Sequence, residues 1–168
     1  MKSLRLAIED YLYELDALDL TMAAAEALAR GVDSPALAEL AGLSKNSAYE
    51  IREIVPQVIE ELAIEVSPFP EAAFRRAADT ARSYLAGDLD FRTAARRVTD
   101  LVFHTGYVDF DERPDIGLGI LDDLTLLNEW VYAVDNGPEE YGWYYFESSK
   151  DAEASFRSVA SALSAASV

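Results

Sequence analysis

The side chains able to do chemistry are few, and most fail the spacing tests that chemistry imposes. His104 is the only histidine. A lone imidazole cannot build a multi-histidine metal site, and no serine or cysteine stands with it in a nucleophile motif. A favourable charge at a helix C-terminus accounts for it better. "DFDERPD" gathers Asp109, Asp111, Glu112 and Asp115, oxygens of the kind that hold calcium or magnesium. An EF-hand read from Asp109 would need glycine at its sixth position and an acid at its twelfth. Those positions are Pro114 and Ile120. The default for this loop is solvated acids with Asp115 capping the helix that follows, whose first turns then hold Asp122 and Asp123. No catalytic, cofactor-binding or metal residue is assigned.

Two further groups bear on binding. Arg75 and Arg82 are seven apart and Arg92 and Arg96 four apart, so each pair shares a helix face. With Arg76 and Arg97 they could form a positive patch for an anion or for the acidic C-terminal region. Pairing with Glu71, Asp79 and Asp100 is the simpler expectation. "EEYGWYYF" sets Glu139 and Glu140 beside Tyr141, Trp143, Tyr144, Tyr145 and Phe146. Aromatics give large contact area at low entropy cost and are enriched in interface hot spots. Trp143 and Phe146 are expected to cover the core. Glu139, Glu140, Tyr141, Tyr144 and Tyr145 are the candidate partner-binding residues.

The 168 residues carry 14 basic and 31 acidic side chains, a formal net charge of −17. Residues 65–107 are balanced, six against six, whereas residues 108–168 hold 3 basic and 13 acidic side chains. Such a field repels phosphate and favours basic partners. Half the residues are hydrophobic, which allows one well-packed domain. Absence of cysteine excludes disulfides and thiolate metal sites. Glu9 and Asp10 interrupt any signal peptide, and no run reaches the roughly 20 apolar residues of a membrane span. A cytoplasmic protein is expected.

Helical periodicity runs almost throughout. Leu4, Ile8, Tyr11, Leu15, Leu18, Met22 and Ala25 form one seam, which predicts a long first helix closed by Gly31. Leu12, Ala24 and Leu28 broaden it toward a bundle helix, though a dimer through it is a second option. Asp33 or Ser34 can cap a short helix with Pro35 in its first turn. Ser44 can cap the next, with Ala48, Ile51, Val55, Val58 and Leu62 inward and Pro56 predicting a kink or a fresh start. "EVSPFP" (Glu65 to Pro70) is a connector. Beyond it lie stripes at Phe74–Leu85, Phe91–Val102 (capped by Asp90), Ile120–Val134 and Ala152–Leu163 (capped by Ser149), with a short strand possible over 143–146. The expectation is an all-α, single-domain bundle of six or seven helices spanning 1–168, divisible into halves 1–64 and 71–168.

"SPALAELAGLSKNSAYEIREIV" has the outline of a helix-turn-helix, with Ala38 at the crossing, Gly42 at the turn, and Leu37, Leu43, Ala48 and Ile51 inside. Those positions specify packing alone. A DNA reader would use Lys45, Asn46 and Arg52, but Glu50 and Glu53 would face the same phosphates. Good binders make roughly 6–10 phosphate contacts. Residues 33–64 offer two cations against six acids.

The runs "GVDSPALAELAGL", "EIREIVPQVIEELAI" and "AGDLDFRTAARRV" are similar to a loose group of small acidic bacterial proteins with no established function. The resemblance covers about two thirds of the chain. It implies a helical fold with an acidic C-terminal region and carries over no catalytic residue. The functional expectation is a non-enzymatic, acidic helical protein that binds a basic protein, in the manner of an inhibitor or immunity module. The alternative is a helix-turn-helix regulator. A homodimer is a further expectation, and neither cofactor nor membrane is expected.

Overall fold

A computed structural model describes residues 2–15, 19–104, 118–137 and 145–166. Among these it is all-helical, with eight α-helices and one π-helical turn. The chain divides into two compact units, Met1–Pro68 and Phe69–Val168, the division falling inside the Glu65–Pro70 connector. No helix among the described residues is long and apolar enough to cross a membrane.

The N-terminal unit holds α1 (Lys2–Leu12), α2 (Leu20–Ala29), α3 (Pro35–Gly42) and α4 (Ala48–Glu61). The long first helix expected from the seam is therefore two helices. Glu14 takes a positive φ of 55°, which no helix tolerates, and Asp19 starts α2 by accepting hydrogen bonds from the Met22 N–H and the Thr21 hydroxyl. These two bonds, with a smaller contribution from the Lys45 charge, hold the Asp19 carboxyl below its ordinary range. The break resets which face is inward. Leu4 and Ile8 are buried as the seam requires, but α2 buries Leu20, Thr21, Ala24 and Ala27 and leaves Met22 57% exposed. The option of dimerising through an unbroken first helix loses its element. Gly31, at φ +86°, takes the left-handed position that closes α2, as its place in the sequence predicts.

Pro56 neither ends nor restarts α4, which is one helix from Ala48 to Glu61. The proline lies on the solvent side, so its ring and its missing donor disturb no packed contact. Past Leu62, Ala63 adopts φ +47° and the chain continues as a strap without regular structure to Pro68. Ile64 is buried and Val66 packs against the core. Ser67 is held at both ends of its backbone by α1 and the turn after it: its N–H donates to Glu9 Oε1 of α1 at 2.8 Å, and its C=O accepts from the hydroxyl of Tyr13, just past the end of α1, at 2.7 Å. Glu9 is only 1% exposed, with Arg5 Nε 3.7 Å away. Burial first, then the Glu9 charge, raises the Tyr13 phenol above its ordinary value.

The C-terminal unit holds α5 (Phe69–Ala86), α6 (Phe91–Thr99), the π-helical turn Asp100–His104, α7 (Leu118–Asn136) and α8 (Ser149–Ala165). Asp90 caps α6 through the Thr93 N–H. Ser148, one residue before the expected Ser149, caps α8 through the Asp151 N–H. Alanines 73, 77, 78 and 81 let α5 pack closely, and Ala152, Phe156, Val159 and Leu163 of α8 are buried as their spacing predicts. Phe156 meets Tyr84 at 5.0 Å and Phe91 at 5.8 Å, and Phe91 stacks on Trp130 at 5.1 Å. Leu85, expected inward, is exposed. Tyr145 and Phe146 form no strand, and Trp143 and Tyr144 lie outside the described residues.

Candidate functional site

The corner made by α3 and α4 is built from its caps inward. Ser34 accepts the Leu37 N–H at 3.0 Å and donates its hydroxyl to Glu61 Oε2 at 2.5 Å, which also accepts the Ala36 N–H at 3.1 Å. The last residue of α4 thus closes the first turn of α3. Those two bonds hold the Glu61 carboxyl below its ordinary range. Beneath them Ala36, Leu37, Leu40, Ile51, Ile54, Val55 and Val58 are buried.

The interior differs in detail from the helix-turn-helix pattern. Ala38 and Ala48 are exposed, so neither marks the crossing. Gly42 ends α3 without a positive φ, and a Cβ built on it meets nothing within 4 Å. Ser44 caps a turn, accepting the Asn46 N–H at 3.3 Å, and α4 starts only after Ser47. The later start explains the exposure of Ala48: a residue in the first turn of a helix has no preceding turn to pack behind it.

Lys45 and Asn46 are exposed in the turn, and Arg52 is exposed one turn into α4. The corner brings these three to its outer side, but not alone. Tyr49 (73% exposed), Glu50, Glu53, Pro56, Gln57 and Glu60 occupy the same outward surface of α4. Within α4, Arg52 is the one cation among four glutamates. Lys45 in turn lies close enough to Asp19 to lower that carboxyl.

Four of the six arginines of the expected positive patch meet acids. Arg75 reaches Glu71 at 3.9 Å, and Arg82 pairs with Asp79. Arg92 and Arg96 converge on Asp135 of α7, at 3.2 and 2.5 Å. Burial opposes the Asp135 charge, but hydrogen bonds from Arg96 and Arg92 outweigh it and hold the carboxyl below its ordinary range. The pair four apart does share a face, and that face grips an acid from the C-terminal third of the same chain.

Of the aromatic loop, Tyr145 is described, 37% exposed in the turn before α8. Glu139, Glu140, Tyr141 and Tyr144 lie outside the described residues, as do Asp109 to Asp115. Among the described residues no three histidine, cysteine or carboxylate side chains gather as metal ligands. Neither Glu9, which accepts from the Ser67 N–H, nor Glu61 was marked by the sequence as a structural acceptor. Glu9 stands directly after Ile8, beside the apolar seam and near enough to its edge to be buried. Glu61 carries no local sign of its role, because its partner is 27 residues away.

Compared with known proteins, the chain matches no family model, no curated protein and no solved structure.

Proposed function

We propose that this chain is a non-enzymatic, acidic binding module for a basic protein, and that the outward face of α4 is its contact surface. The observation that carries the reading is the composition of that face. A helix in this position reads DNA by presenting cations and amides to phosphates and base edges. Here Glu50, Glu53 and Glu60 surround Arg52, with Tyr49 standing out as an aromatic anchor. Carboxylates in that arrangement repel duplex and complement lysine and arginine. The rest of the chain reinforces the field, with net charge −17. The acidic C-terminal third, including Tyr145, supplies a second contact region in the same reading. A partner that itself handles nucleic acid suits this chemistry, because carboxylates can occupy its phosphate positions.

The test uses the full chain and the double variant Glu50→Arg/Glu53→Arg, whose side chains are exposed and therefore leave the fold intact. Affinity purification at low salt should recover a basic protein on the wild type, reduced at high salt and lost on the variant. A mobility shift of duplex DNA by the wild type at physiological salt, abolished by Arg52→Glu, would establish the regulator reading with Lys45, Asn46 and Arg52 instead.

A further inference from the structure

Pro56 stands in the interior of α4 on its solvent side, where it fills no place in the core. In an α-helix the N–H of residue 56 would donate to the C=O of Arg52, four residues earlier. Proline has no N–H, so the Arg52 C=O lacks the donor that the helix otherwise supplies. Among the described residues no side chain takes that place. The Gln57 side-chain amide, exposed beside it, donates to the adjacent Glu53 C=O at 3.3 Å instead. Tyr49, Glu53, Pro56 and Glu60 follow one another at steps of four, three and four residues, so they lie on one line along α4, and all four are exposed. Glu53 and Glu60 thus stand about one turn to either side of the proline, and the open carbonyl lies between them.

We infer, on the reading of α4 as the contact surface, that the Arg52 C=O and the carboxylates of Glu53 and Glu60 form an acceptor site for an arginine side chain of the basic partner. Carboxylates attract lysine and arginine alike. A guanidinium, however, holds five N–H donors in one plane and can serve a carbonyl and a carboxylate together. An ammonium is a compact, strongly hydrated charge and gains less from a neutral acceptor. The carbonyl is held by the backbone, so presenting it costs no side-chain entropy, unlike the two flexible glutamates. Pro56 opens this one acceptor without ending the helix, which continues to Glu61.

Peptides of equal length, one of arginine and one of lysine, test the site on the full chain. Binding is read from the resonances of α4, so that contacts elsewhere on the chain are not counted. The arginine peptide should bind the wild type more tightly than the lysine peptide and shift the Arg52 carbonyl carbon. Pro56→Ala restores the missing N–H and keeps every carboxylate. It should weaken the arginine peptide by about threefold to tenfold, the effect of one hydrogen bond, and leave the lysine peptide unchanged. Equal affinity for the two peptides would overturn the acceptor site while leaving α4 as an acidic contact surface. So would a Pro56→Ala effect that is absent or the same for both. Failure of both peptides to perturb α4 of the wild type would overturn the contact surface and the acceptor site together.

Discussion

Glu61 shows how one carboxylate can join two helices. It answers an N–H of the first turn of α3, which would otherwise lack a partner, and it takes the hydroxyl proton of the residue that caps that turn. Because these bonds favour the charged form, the folded carboxyl sits below the ordinary 4.5 of a glutamate. Its contribution to stability is complete above that value and disappears as the pH falls through the lowered folded value. Glu61→Gln lacks this dependence, so on acidification from neutral pH the wild type should lose more stability than the variant, read by urea unfolding at a series of pH values. The glycines separate in the same manner. Gly42→Ala should leave stability unchanged or raise it by up to about 1 kcal/mol, because its backbone is helical and the space is open. Gly31→Ala should lower stability by about 1 kcal/mol or more, because φ +86° strains any residue with a Cβ. Thermal melts of the two variants check the pair, and equal effects would contradict the difference in backbone geometry.

At the scale of elements, α4 tolerates Pro56 because the proline is on the wet side and every inward position remains aliphatic. A proline in a helix interior costs about 3 kcal/mol relative to alanine, while its stiffening of the unfolded chain returns up to about 1 kcal/mol. Pro56→Ala should therefore stabilise the chain by about 2 kcal/mol, a gain that chemical denaturation can measure. The Arg92–Asp135–Arg96 cluster joins α6 to α7 with better geometry than strength. Both guanidiniums are half exposed, and solvent screening limits such pairs to about 1 kcal/mol or less. Packing of Phe91 between Trp130 and Phe156 binds the same helices more firmly, since it removes large apolar surfaces from water.

For the whole molecule, the dominant quantity is the excess of 31 acids over 14 bases. Whatever pairs form, 17 acids are left in excess, so the folded chain works against its own repulsion. Screening weakens that repulsion over about 10 Å at 0.1 M salt. Raising the ionic strength from a few millimolar to that range should raise the melting temperature. A melting temperature that fell with salt would mean that attractive pairs such as Arg92–Asp135 outweigh the net charge. The same increase in salt should weaken binding to a basic partner, so stability and affinity are expected to move in opposite directions.

Helical class, most buried stripes and the acidic balance were legible from residue types and spacing, because burial periodicity and charge are local properties of the chain. Ile8, Val58, Val98, Leu127 and Phe156 are buried where the period of the helix places them. Tertiary structure alone decided the rest. The seam through Leu15 and Met22 continues in the sequence, yet Glu14 and Asp19 break the helix, since a periodic pattern does not record where the backbone turns over. The clasp of Glu61 on Ser34 and the hold of Glu9 and Tyr13 on Ser67 join residues 27 to 58 positions apart. No local pattern contains such pairs, because the partners meet only after hydrophobic burial has brought the helices together.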